Sequence, residues 1–173
     1  MRSTTTVSTT GGSSRWVTID SMQPPFGVGL GVSIGYGAVS PVYTVQHTFD
    51  PTDNGSRQVT IACTASTTVT VTDTAHGLAT GDSVTITGTG NSSIDGSFDV
   101  TVTNANTYTY TTTSTTYNGV ANCASFRVYP HAVLVNQNAR ADGNYAFPVY
   151  ACRVKLVTGT GTISMTVIQG TGV

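Results

Sequence analysis

Along this chain apolar side chains recur at every second residue, not at every third or fourth. Gly27-Val-Gly-Leu-Gly-Val-Ser-Ile-Gly35 places its branched residues on alternate positions, which gives one apolar face and an opposite face without side chains. Tyr43, Val45, His47 and Phe49 alternate in the same way. Between positions 62 and 122 four short runs alternate Thr with Val, Ile, Phe or Tyr: Val69–Thr72, Asp82–Thr87, Ser97–Thr103 and Thr107–Thr111. Gly and Asn turns separate them, and that regular spacing predicts strands of a small barrel or sandwich. Arg15–Asp20, Phe126–Tyr129 (ending at Pro130) and Ala132–Val135 read as further short strands, and Asn136–Asn144 as a polar loop. Tyr150–Leu156 and Ile163–Gln169 read as a closing hairpin turning at Thr158–Gly161. Cys152, Val154 and Leu156 on one arm, with Ile163, Met165 and Val167 on the other, are the expected core.

The texture of the pattern changes twice, in an A–B–A order. The expected division is a flexible arm over residues 1–14, a discontinuous outer domain over 15–61 plus 124–173, and an inserted module over 62–123 that projects outward. Insertions of this kind enter and leave at one surface point. Cys63 and Cys123 bracket the insert, so a neck pair is one reading and two small apolar residues the other. The expected fold class is therefore all-β: a jelly-roll-like β-sandwich carrying a small β-barrel or sandwich module. The prolines of Met22-Gln-Pro-Pro-Phe26 mark a break, because a proline cannot donate within a central strand.

Composition narrows the function. The 173 residues carry 7 basic and 8 acidic side chains, a net charge of −1, and charged residues are only 9% of the total. A balance this even leaves no basic footprint for nucleic acid. No apolar run is long enough for a membrane-spanning helix. The first ten residues lack the apolar stretch of a signal peptide, so the expectation is a protein made without export. A weakly charged, Thr-rich surface suits a molecule packed against neighbours.

The chemistry-bearing residues are few: three His, eight acids and three Cys. His47, Asp50 and Asp53 fall within one strand-to-turn stretch, but Asp-Pro and Asp-Asn-Gly are turn chemistry more readily than metal ligation. Asp73, His76 and Asp82 form a second group on turns, where His76 and Asp82 are expected to bond backbone. His131 follows Pro130 with no evident partner. No nucleophile elbow, metalloprotease helix, Cys-x-x-Cys pair or phosphate loop occurs, and Gly27-x-Gly-x-Gly31 lacks the following helix of a dinucleotide site. No cofactor or metal is expected, and no enzyme. Tyr108, Tyr110 and Tyr117 suggest either a sugar-stacking face, hence a carbohydrate-binding adhesin module, or the filling of a small core. Asn54-Gly-Ser56 and Asn91-Ser-Ser93 match the glycosylation pattern, which carries little weight without export.

Ala75-His-Gly-Leu-Ala-Thr-Gly-Asp-Ser-Val-Thr-Ile-Thr-Gly88, Ile94-Asp-Gly-Ser-Phe-Asp-Val-Thr-Val-Thr103 and Ala105-Asn-Thr-Tyr-Thr-Tyr110 resemble a small β module of tailed-phage structural proteins and bacterial surface proteins. It is similar to the first catalytic-cysteine half-domain of ubiquitin-activating enzymes, with no ubiquitin chemistry implied. Tyr43–Asp50, Phe126–His131, Ala141–Pro148 and Arg153–Gly161 with Val167–Gln169 resemble, at the level of pattern, small virion proteins of tailed phages. That resemblance implies a capsid decoration (cement) protein, assembled in the host cytoplasm onto the capsid surface. It implies the major capsid protein as partner and a homo-oligomer, with a trimer favoured; a tail, neck or fibre-attachment component is the other position. On this reading Trp16 and the glycine face of Gly27, Gly29, Gly31 and Gly35 are the expected interface, since a bare backbone lets a neighbour approach closely.

Overall fold

The computed structural model describes residues 2–22, 27–51 and 57–170, and for Arg2 and Ser3 the backbone alone. The double proline, Asp53 and the first glycosylation pattern lie outside the described residues. Fourteen strands and no helix are assigned among the described residues: β1 (Arg2–Thr9), β2 (Gly12–Ser13), β3 (Val17–Thr18), β4 (Val28–Ile34), β5 (Val39–Thr48), β6 (Arg57–Thr72), β7 (Ser83–Thr87), β8 (Gly96–Asp99), β9 (Thr101–Asn104), β10 (Thr107–Phe126), β11 (Tyr129–Pro130), β12 (Ala141–Tyr145), β13 (Ala151–Thr160) and β14 (Ile163–Gly170). The protein is all-β and sandwich-like, with antiparallel pairing throughout. It divides into two compact units, Met1–Phe49 with Tyr129–Val173, and Asp50–Val128.

In the first unit a four-stranded sheet runs β1-β14-β4-β12, and a second sheet runs β11-β5-β13-β2 with β3 also on β13. The core lies between them. Val28, Leu30, Val32, Ile163, Met165 and Val167 face Tyr43, Val45, Cys152, Val154 and Leu156, and all are buried. The six residues expected as core are all there. The strand pair that holds them is not a hairpin, however. β14 bonds β1 and β4, whereas β13 bonds β5. The Gly161–Thr162 connection, with the end of β13 before it, is thus a corner that carries the chain from one sheet to the other. Period two says which face is apolar and not which sheet a strand joins.

Residues 1–14 are not an arm. β1 pairs residue for residue with β14, from Arg2 opposite Gly170 to Thr9 opposite Ile163, and Val7 is buried in the core. Thr is a strand former on a half-buried sheet, so a Ser/Thr run needs only one inward valine to serve as an edge strand. The expected polar loop 136–144 also contains a strand, β12, paired with β4. Its Asp-Gly-Asn sequence reads as a turn, yet an edge strand with Asp142 and Asn144 facing outward tolerates those residues. Conversely 132–135 forms no strand. It runs irregularly beside β5, with Leu134 O accepting from Val45 N and the backbones of Tyr43 and Gln137 exchanging bonds.

The second unit is built on a long hairpin of β6 and β10, paired from Thr107 opposite Thr72 to Cys123 opposite Arg57, with bulges around Thr115. β7 pairs with the far end of β10 and with β8, and β9 pairs with the near end of β10. Its core is Val59, Ile61, Val69, Val71, Val84, Ile86, Ile94, Tyr108 and Tyr110 with smaller residues between. The expected boundaries at 62 and 123 fall inside β6 and β10. The unit takes in the whole of both strands, because their pairing continues to Arg57.

Candidate functional site

Inner-face positions of the first unit end in a group of rings. His47 is the last buried inward residue of β5, and Phe49 continues its face. Tyr129 lies opposite His47 in register, so it joins the same side. Tyr145 ends the inner row of β12 opposite Val28, and Phe147 follows it. The rings pack around His47: Phe49 at 5.2 Å, Tyr145 at 5.2 Å, Tyr129 and Phe147 at 5.9 Å between centroids. Phe49, Tyr129 and Phe147 remain 49%, 39% and 46% exposed, respectively. Three large rings half in water at one spot are more than scattered surface apolars.

Beside them is a cleft of about 440 Å³, lined by His131, Ala132, Val133 and Asp142–Tyr145 with Phe147. His131 is buried and fully engaged, contrary to the expectation that it lacks a partner. Its Nδ1 accepts from Val133 N and Leu134 N, both at 3.1 Å. Nε2 therefore carries the proton and donates to Asn144 O at 3.2 Å. This clamp holds the 131–134 loop against β12 and fixes the cleft wall. A Cβ on Gly143 would stand 2.9 Å from Leu134 Cδ1, so glycine lets Leu134 pack close against β12. Two buried polar atoms here lack hydrogen-bond partners, Tyr145 Oη and His47 Nδ1. Burial, and then the neighbouring His131, lower the His47 pKa to about 4. Burial likewise raises the Tyr145 phenol well above its usual value.

The outer face of the four-stranded sheet is the second feature. Register places Thr6, Thr166, Gly31 and Asp142 in one cross-strand row, and Thr4, Ile168, Gly29 and Asn144 in the next. Thr6 and Thr166 join by their hydroxyls at 3.1 Å. Beside Gly31 a groove of about 370 Å³ runs between Thr166 and the Arg140–Asp142 segment. A Cβ at Gly27 or Gly31 would touch nothing within 4 Å, and at Gly29 only Ile168 near 3.8 Å. Gly35 does not belong to this open face, because Thr162 O lies 3.1 Å from where its Cβ would be. Trp16 is half-buried, and the Arg153 guanidinium stacks over its ring at 4.4 Å.

The residues singled out in the second unit prove structural. Tyr108 and Tyr110 are buried in its core, with their hydroxyls on Cys123 Sγ at 3.2 Å and Ile94 O at 3.3 Å. Burial raises both phenols far above their usual range. Tyr117 packs partly against the same core, its hydroxyl on Val120 O. Tyr108 and Tyr110 contribute no exposed stacking face, since their inward strand positions bury the rings. Cys63 and Cys123 are free thiols. Cys63 lies opposite Tyr117 and Cys123 opposite Arg57, so about 20 Å of strand separates them and no neck pair exists. Burial is also what raises the Cys123 thiol pKa, and that of Cys152 to about 12.

The motif residues lock turns to one another. His76 Nδ1 accepts from Leu78 N at 3.0 Å and Nε2 donates to Asn104 O at 2.9 Å. Thr80 Oγ1 accepts from Val102 N. Asp82 accepts from Ala79 N and Val128 N, so its group with His76 is backbone chemistry, as expected. Asp73 departs from that reading: its buried carboxylate takes a two-pronged bond from Arg57, with Nε 2.9 Å from each oxygen. Asp50 accepts from Arg127 N at 3.0 Å. No group of three or more His, Cys, Asp or Glu placed to hold a metal occurs among the described residues.

No family model matches this sequence, and no curated protein does. A solved structure similar to it is the phage phi92 endosialidase, at 25% identity over 53% of this chain, with a TM-score of 0.35. The chain spans 14% of that protein's length. A likeness at that score does not define a shared fold.

Proposed function

We propose that this chain is a non-enzymatic structural component of a tailed-phage virion. In its specific form it is a capsid decoration protein, a homo-oligomer that clamps neighbouring major capsid subunits and displays Asp50–Val128 as a module. The observation that carries this reading is the outer face of β1-β14-β4-β12. It is a nearly uncharged Thr/Ser/Gly surface, with a glycine trough where a partner backbone can lie close. Thr and Ser hydroxyls bond such a partner without the desolvation that charged groups exact. The sequence resemblance to small virion proteins supports the same placement. Chain entry supports it too: Gln46 and His47 of β5 pair with Tyr129 and Pro130 of β11, so the module interrupts the first unit between two neighbouring strands.

Copy number per particle tests this, by quantitative mass spectrometry of purified virions against the major capsid protein. A number comparable with that of the capsid protein is expected. A number matching one ring or a few fibres overturns decoration in favour of a neck or tail position. Absence from particles overturns the virion reading altogether.

A further inference from the structure

The cleft beside the aromatic group has the makings of a ligand site, and its size of about 440 Å³ falls in the range of small-ligand pockets. We propose that it binds a neutral saccharide, with the Phe147 ring as stacking platform and Asp142 and Asn144 as hydroxyl partners. Sugar rings present flat C–H faces to aromatic surfaces, and their hydroxyls demand polar partners at the rim. Both halves are here. Phe147 is 46% exposed, and Phe49 lies 6.0 Å from it between centroids and Tyr129 5.4 Å from Phe49, so the apolar surface extends beyond one ring. Asp142 and Asn144 stand exposed on the outward face of the edge strand β12 and line the cleft from across that edge. Tyr145, 1% exposed, forms part of the wall beneath them.

The charge of the lining chooses among saccharides. Asp142 is its one carboxylate, and it includes no Lys or Arg. An acidic sugar would meet repulsion there, while a neutral one gains charge-assisted bonds from its hydroxyls. A lone carboxylate also argues for binding and not cleavage, since glycoside hydrolysis generally uses a pair. The rigid wall built by the His131 clamp keeps the site open without a ligand, which lowers the ordering cost of binding.

This inference does not rest on the virion reading, and it is tested on the isolated full chain. The probe is a printed array of neutral and sialylated oligosaccharides, followed by titration of the best free di- or trisaccharide by saturation-transfer NMR. Wild type is expected to bind neutral glycans. Phe147→Ala and Asp142→Asn should each weaken binding at least tenfold, with a cooperative melt retained in both. Tyr108→Phe, in the other unit's core, should bind as wild type. A blank array overturns the proposal. So does binding confined to sialylated glycans, or neutral-glycan binding that survives both cleft substitutions.

Discussion

His47 shows how one side chain can tie this fold to pH. The unfolded imidazole takes up a proton near pH 6.5, whereas in the folded protein burial and His131 hold its pKa down to about 4. The unfolded chain therefore binds more protons between those values. The contribution of neutral His47 to stability is fully present above about pH 6.5 and is lost as pH falls toward about 4. His47→Phe keeps a ring among the rings and removes the titration. Thermal unfolding of wild type and variant from pH 7.5 to 4.5 should give curves that converge or cross as the wild type weakens. Because every carboxylate is common to both proteins, parallel curves would refute the assignment. Tyr145 is the complementary case, a phenol that burial pushes further above its usual value, so it adds no titration across this range.

At the scale of elements, the corner between β13 and β14 decides the topology of the first unit. Gly159 has φ +83° and Gly161 φ +115°. A Cβ on Gly159 would lie 2.3 Å from Ser40 O, and on Gly161 2.5 Å from Ala38 Cβ. Both the backbone conformation and the close approach require glycine there. Gly159→Ala should cost at least about 2 kcal/mol and lower the melting temperature, and an unchanged melt would show that the corner relaxes freely. The same corner marks the limit of what alternation conveys. The six inward residues of β13 and β14 are readable from period two, as are the valines and leucine of β4. Their assignment to opposite sheets is not, because a Thr-Gly-Thr-Gly turn suits a hairpin and a sheet-to-sheet corner alike. β1 and β12 escaped for a related reason. An edge strand is half satisfied by solvent, so Thr-rich or Asp-Gly-Asn sequence suffices where an inner strand would need apolar alternation. The cleft was illegible as a site although its parts were visible. His47 and Phe49 stand some eighty residues before Tyr129 in the sequence, and only the pairing of β5 with β11 joins them. Tyr108 and Tyr110, which looked like part of a binding face, are spaced at the period that buries them.

For the whole molecule, the two units have separate cores. Every residue of one apolar cluster belongs to Met1–Phe49 and Tyr129–Val173, and every residue of the other to Asp50–Val128. The first unit loses no strand when the second is removed, since Tyr129 already lies opposite His47 and a short turn can close the gap. With Thr48 and Phe49 kept, Asn-Gly completes a four-residue loop between the paired His47 and Tyr129, a length that hairpins commonly build around a type I turn. Replacing Asp50–Val128 by Asn-Gly should therefore leave a protein that melts cooperatively, with β-sheet circular dichroism and the saccharide titration of the full chain. Loss of a cooperative melt would mean that the first unit depends on the inserted one for its stability. The excised Asp50–Val128 gives the converse measurement. Its long β6–β10 hairpin and its Arg57–Asp73 bond are internal, so it should fold alone, with amide exchange slowest at Ile61, Val71 and Tyr108. If only the excised unit folds, the insert is the stable body and the discontinuous unit the dependent one.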